Sequence, residues 1–76
     1  MANRIVAPAL IPFDHEQWRS EVLSYYPQAF MQDDSTTSGL RERAIFEGKI
    51  VGFFLRSRST GHGRGYVKAP WGESVG

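Results

Sequence analysis

The sequence predicts a single α+β domain in which one main helix packs on a small three-stranded antiparallel sheet, with an N-terminal edge strand. Three observations predict this fold class. Residues 40–58 are typical of a β-hairpin, because two runs rich in β-branched and aromatic residues flank the turn-forming pair Gly48-Lys49, expected in a type II′ turn. Residues 14–25 combine a helix cap with an amphipathic stripe. Residues 66–69 are typical of a third strand.

The length and composition of the chain restrict its fold and its chemistry. Residues 1–76 are enough for one small domain with a thin core. The absence of cysteine excludes a disulfide framework, a thiolate zinc site and a cysteine nucleophile. Pro8 and Pro12 interrupt the apolar N-terminal run, which argues against a signal peptide or a membrane span and favours a cytoplasmic location.

The first predicted elements are an arm and a helix. Residues 1–12 predict an extended arm or an edge strand, because their two prolines exclude a central strand. Asp14 opens a capping-box pattern, so the helix should begin at His15. It should end at about Tyr25, because Pro27 disfavours helical geometry at the residue before it.

A short connection should lead from this helix to the hairpin. Residues 27–32 are expected to form a second short helix, because proline suits the first helical position. Residues 33–39 have the composition of a surface loop. In the hairpin, Gly52 predicts a bulge or a close backbone approach. Three residues of the first hairpin strand should face the core: Leu40, Ala44 and Phe46.

The last third of the chain contains a glycine-rich loop and a tail. Backbone amides of residues 58–65 could cradle an anion, although a solvated hairpin loop explains the same composition. Residues 71–76 are expected to form a flexible tail. His15 and His62 have no second ligand at metal-binding spacing, so neither a metal site nor a catalytic constellation is predicted.

The charges of the chain are divided between its two parts. Residues 1–47 hold four Lys/Arg and seven Asp/Glu, whereas residues 48–76 hold five Lys/Arg and one Asp/Glu. This basic second part suits an acidic partner surface, and the alternative is a solvated sheet face balanced by the acidic first part. Because Tyr, Trp and Arg dominate binding hot spots, eight residues are expected to form the contact face: Tyr25, Arg56, Arg58, His62, Arg64, Tyr66, Lys68 and Trp71.

The order of elements over roughly residues 5–55 resembles the N-terminal half of GNAT-type N-acetyltransferases. The resemblance rests on an apolar strand, a helix, a polar loop and the hairpin string Ala-Ile-Phe-Glu-Gly-Lys-Ile-Val-Gly-Phe-Phe at residues 44–54. It implies a loop of the form Gln/Arg-x-x-Gly-x-Gly/Ala, opening a helix, that holds the pyrophosphate of acetyl-coenzyme A. Residues 58–63 match those letters but precede strand-like residues, and a second register over residues 66–76 lacks the arginine.

The sequence therefore favours a small non-catalytic protein-binding module without a cofactor, such as a phage-type or regulatory inhibitor that blocks a surface of a larger protein. One alternative is a truncated acetyltransferase-like fragment that binds acetyl-coenzyme A. Another is a self-associating structural subunit of a larger assembly. Nucleic-acid binding ranks below these, because the net charge of +1 is small and the RNP strand pattern is missing.

Overall fold

A computed structural model describes residues 10–71 and 74–75 of the chain. This part of the chain forms one helix, α1 (His15–Tyr25), and six strands. The strands are β1 (Ile11–Pro12), β2 (Phe30–Asp33), β3 (Gly39–Phe46), β4 (Lys49–Ser57), β5 (Gly63–Lys68) and β6 (Ser74–Val75).

The strands form one antiparallel sheet in the order β1-β5-β4-β3-β2, and β6 also pairs with β5. β1 pairs with β5 at Arg64 and Gly65, whereas β6 pairs with it at Val67 and Lys68. The two short strands therefore share the outer edge of β5, and β2 forms the opposite edge of the sheet.

The predicted three-stranded sheet with one main helix is wrong. The described residues form a mostly β structure, in which five strands lie side by side across the sheet and one short helix packs on it. The predicted second helix at residues 27–32 is also wrong. Pro27 lies in a turn, in which the Ala29 N–H donates to the Tyr26 carbonyl at 2.9 Å. β2 follows at once and pairs with β3, where Met31 lies opposite Ala44 and packs against the core. Pairing with a distant strand thus overrides the local helix signal.

The two ends of the chain are described in part. The predicted arm contributes Ile11 and Pro12 to the edge of the sheet, and residues 1–9 lie outside the described residues. In the predicted tail, Ser74 and Val75 pair with β5, and residues 72, 73 and 76 lie outside the described residues.

The hairpin of β3 and β4 is confirmed, but its turn lies one residue earlier than predicted. Phe46 pairs with Lys49, so Glu47 and Gly48 form the two-residue loop. Their φ angles are 53° and 78°, which is the type I′ pattern and not type II′ at Gly48-Lys49. The type I′ turn needs positive φ at both central positions, and Gly48 adopts it at the second one without steric cost.

A bulge in β4 confirms the prediction made from Gly52. Ala44 pairs with Gly52 and Ile45 with Ile50, so Val51 has no partner in β3. Val51 and Gly52 are both buried although they are consecutive. A Cβ atom at Gly52 would lie 3.2 Å from Cγ2 of Val22 in the helix, so the backbone also approaches α1 closely.

The core lies between α1 and one face of the sheet, and α1 packs on β4 and β5. Trp18 and Phe54 are fully buried, with ring centroids 5.6 Å apart, and the Trp18 Nε1–H donates to the Tyr66 carbonyl at 3.0 Å. The buried cluster comprises Trp18, Val22, Tyr26, Ala44, Val51, Phe54 and Val67. The predicted core positions are confirmed, because Ala44 is fully buried and Leu40 and Phe46 pack against the cluster.

The start of α1 is held by its cap and by a hydrogen bond from the helix to the sheet. As predicted, Asp14 is the N-cap, and its carboxylate accepts hydrogen bonds from the N–H groups of Glu16 and Gln17. The His15 ring lies 4.9 Å from the Phe54 ring, and its Nε2 lies 2.6 Å from Oε1 of Glu42. The Glu42 carboxylate points toward the helix side of the sheet, and the contact with His15 gives it a hydrogen-bond partner there.

Replacing Gly52 with valine should destabilise the protein by about 1–3 kcal/mol, because the added side chain would overpack the space against Val22 and Ala44. Urea denaturation monitored by tryptophan fluorescence measures the change. The matched control is Ile50→Val at an exposed position two residues away, where we expect a change below about 0.5 kcal/mol. Equal stability of the two variants would contradict the close helix–sheet approach.

Replacing Tyr26 with phenylalanine should lower the free energy of unfolding at pH 7 by about 1 kcal/mol, because its hydroxyl donates to the Lys68 carbonyl. Burial also raises the pKa of Tyr26. The unfolded chain ionises this phenol near pH 10 and the folded protein at higher pH, so this group lowers stability as the pH rises above about 10. Denaturation curves from pH 7 to 11 should therefore show the wild type losing its advantage over Tyr26→Phe. An advantage that grows with pH would refute the assignment.

Candidate binding surface

One face of the sheet is not covered by α1, and we call it the open face. Side chains alternate between the two faces of a strand, so the residues that neighbour buried core positions in β3, β4 and β5 point away from the helix. The apolar members of the open face are Phe30, Ile45, Ile50, Phe53, Leu55 and Tyr66. Its cationic members are Arg41, Arg43, Arg64 and Lys68.

The centre of the open face is apolar and partly accessible to solvent. Phe53 and Tyr66 are direct cross-strand partners, and their ring centroids lie 6.4 Å apart with an interplanar angle of 31°. Toward the β2 edge and the hairpin turn, the side chains become more exposed, at 63% for Phe30 and 46% for Ile50. An apolar patch of this kind on a small domain is typical of a binding surface.

The cations surround and partly cover this apolar centre. The Arg41 guanidinium carbon lies 5.9 Å from the centroid of the Phe53 ring, in a cation–π arrangement. Arg43 Nη2 lies 3.0 Å from Oδ2 of Asp34, just beyond the end of β2. Arg64 and Lys68 are exposed. The described strands place no carboxylate on this face, so its field is positive apart from the contribution of Asp34.

The structure brings three of the eight predicted contact residues to the open face. Arg64, Tyr66 and Lys68 alternate along β5 and therefore point to the same side of the sheet. Tyr66 is partly buried beside Phe53, whereas the two cations are exposed. These three residues can contact one partner together.

The other five predicted residues lie elsewhere. Arg56 and Arg58 line a groove at one end of the sheet. His62 is exposed in the neighbouring loop. Tyr25 and Trp71 lie at the far end of the helix, where their rings meet edge to face with centroids 5.5 Å apart, and Trp71 is 63% exposed. The eight residues are therefore distributed over three places and do not form one continuous face.

The sequence interpretation missed Arg41, Arg43 and Phe53 as members of the binding surface. Alternation along β3 already placed both arginines on the side away from the core. The run at residues 50–55 is almost entirely apolar, and it hides the alternation that would assign Phe53 to one face of the sheet. The hairpin register, which pairs Phe53 with Arg43, was the signal that could have identified it.

The two loops at the end of the sheet are held by their own hydrogen bonds. The Arg58 N–H donates to the Ser38 carbonyl at 2.9 Å, and the Gly61 N–H donates to the Ser57 carbonyl at 2.7 Å. In the first loop, the Ser35 hydroxyl and then the Ser35 N–H lower the pKa of Asp33 by hydrogen bonding to its carboxylate. Amides that are engaged within the loops are not available to cradle an anion.

The glycine-rich loop connects two strands. It leaves β4 at Ser57 and enters β5 at Gly63. The loop that the acetyltransferase resemblance implies would open a helix, whose N-terminus binds the pyrophosphate. In the described part of the chain, the one helix begins at His15, and the glycine-rich loop does not lead into it.

Among residues 10–71 and 74–75, no group of three or more His, Cys, Asp or Glu side chains could hold a metal ion. Within the same part of the chain, no helix is long and apolar enough to cross a membrane. Comparison of the chain with protein-family models, with curated proteins and with solved structures finds no match.

Replacing both Phe30 and Ile50 with threonine should reduce the binding of the uncharged dye Nile red, because these are the most exposed apolar side chains of the open face. Threonine is β-branched and suits a strand, so we expect stability to change by less than about 1 kcal/mol. Dye fluorescence at matched protein concentration measures the effect. The control is Leu10→Thr, an exposed apolar residue outside the open face, and an equal loss of fluorescence there would contradict the prediction.

Proposed function

We propose that this chain is a small non-catalytic protein-binding module that docks on a larger protein through its open face. The observation that supports the proposal is the composition of that face, in which four cations surround half-exposed apolar and aromatic side chains. An inhibitor of phage or regulatory type would use such a face to block a surface of its target.

The chemistry of the open face indicates the chemistry of its partner. Protein interfaces combine an apolar centre with a polar rim, and aromatic residues and arginine are enriched in them. Phe53 and Tyr66 supply the aromatic centre, and Arg41 lies over one edge of it. The exposed cations Arg64 and Lys68 lie along β5. A complementary partner therefore presents an apolar patch flanked by Asp and Glu side chains.

A protein fits this face better than a single-stranded nucleic acid does. Bases stack on aromatic rings, and Phe53 and Tyr66 would offer one such platform. However, apart from the ring of Phe30 at the β2 edge, the rest of the apolar area consists of the aliphatic side chains of Ile45, Ile50 and Leu55. Aliphatic area favours another apolar side chain over a base, and the net charge of +1 adds little general attraction for phosphates.

Reversing the charge of Arg64 should weaken partner binding by about tenfold, because an exposed cation at the rim of the face would become repulsive to an acidic partner. Arg19→Glu is the matched control, since it makes the same charge change on the exposed side of α1. The tagged chain first captures its partner from nuclease-treated lysate of the source organism. Calorimetry with the purified partner then compares the wild type with both variants.

Each outcome of this experiment decides for or against the proposal. Weaker binding of Arg64→Glu alone, with a strong dependence on salt, supports docking through the open face. Equal affinity of the two variants for the partner refutes docking through the open face. A partner that is captured only when the nuclease treatment is omitted identifies a nucleic-acid binder. If no partner is captured and acetyl-coenzyme A raises the melting temperature, the acetyltransferase-like alternative replaces the proposal.

A further inference from the structure

A groove at one end of the sheet forms a second candidate site, separate from the open face. It lies between the loop that joins β2 to β3 and the loop that joins β4 to β5, and it has a volume of about 460 Å³. This volume is within the range of small-molecule and peptide sites. We call it the end groove, and its polar lining includes Ser35, Thr36, Arg56, Ser57 and Arg58.

Two glycines line the end groove. Gly39 lies so close to β4 that a Cβ atom there would stand 2.2 Å from the carbonyl oxygen of Arg56. Gly61 has a φ of 72°, and a Cβ atom at that position would meet no atom within 4 Å. The groove therefore has a floor of closely paired backbone on one side and no side chain filling it at Gly61.

The positive charge of the end groove is not neutralised within the described structure. Among residues 10–71 and 74–75, carboxylates contact the basic side chains of His15 and Arg43 but neither Arg56 nor Arg58, and both of these arginines are exposed. The nearby carboxylates already have partners. Asp33 accepts hydrogen bonds from Ser35, and the carboxylates of Asp34 and Glu42 pair with an arginine of the open face and the helix histidine.

We propose that the end groove binds an acidic peptide segment through Arg56 and Arg58. Guanidinium groups bind carboxylates with two parallel hydrogen bonds, so two arginines can bind two acidic side chains of an extended segment. The Ser35 hydroxyl already donates to Asp33. The hydroxyls of Thr36 and Ser57 share hydrogen bonds with the hydroxyls of Ser38 and Ser59, and they can donate to a ligand oxygen when the serine partner is the donor.

A carboxylate ligand fits this groove better than a phosphate. Phosphate sites commonly use several free backbone N–H groups. Here the N–H groups of Arg58 and Gly61 donate hydrogen bonds to carbonyl oxygens. The N–H groups of Ser35 and His62 donate to side-chain oxygens. The side chains of the groove must therefore bind the ligand. This proposal does not depend on the open face or on the proposed function.

The test uses the ¹⁵N-labelled full chain and a peptide acetylated and amidated at its ends, with the sequence Gly-Glu-Asp-Glu-Gly. We expect the amide signals of Thr36, Gly39, Ser57 and Gly61 to shift on titration. The neutral peptide Gly-Gln-Asn-Gln-Gly is the matched ligand and should produce no shift. In Arg56→Gln/Arg58→Gln the affinity should fall by about tenfold or more, whereas Arg19→Gln, which removes an exposed cation of α1, should bind normally.

Three results would overturn the proposal. They are equal shifts with the neutral peptide, shifts that lie on the open face, and unchanged affinity of the double variant. Inorganic phosphate is titrated in parallel, and saturation by phosphate without binding of the acidic peptide would identify a phosphate site instead. If the double variant loses signal dispersion, Arg58→Gln alone provides the same comparison, because Arg58 lies outside the strands.

Discussion

The whole structure depends on the contact between one short helix and the middle of the sheet. Trp18 is fully buried at this contact, where its ring packs on Phe54 and its Nε1–H donates to the Tyr66 carbonyl. A helix of eleven residues is about 16 Å long and roughly 10 Å wide. Its width equals about two strand spacings. One such helix can cover part of one face only. The exposure of the other face therefore follows from the number of elements that the described residues form.

The bulge in β4 connects this packing to the composition of the open face. It places Val51 and Gly52 together on the side of the helix, where the missing side chain of Gly52 lets Val22 approach. It also changes the alternation along the strand, so that Ile50 and Phe53 both point to the open face although they are three residues apart. Without the bulge, only one of these two side chains would lie there. The same irregularity therefore serves the core and the candidate surface.

The features that the sequence predicts well have local causes. Asp14 and Pro27 bracket the helix by capping chemistry and by a steric restriction, both of which act within a few residues. β2 was not predicted, because its four residues owe their conformation to pairing with β3 across an intervening loop. The candidate surface was predicted only in part, because some of its residues also owe their position to pairing between distant strands. The cations of β5 follow from strand alternation, whereas the position of Phe53 depends on the bulge and the register of the hairpin.

The net charge of +1 conceals a separation of charge between the two layers. Asp14 and Glu16 lie at the exposed start of the helix, whereas the strands place cations and no carboxylate on the open face. Four cations on one face repel one another, and this repulsion is only partly offset by the Arg43–Asp34 pair and by the ring beneath Arg41. An acidic partner would relieve the repulsion on binding and would be oriented by the field before contact. Because screening limits this field to about 8 Å at physiological salt, the charges orient the partner and the apolar centre must supply most of the affinity.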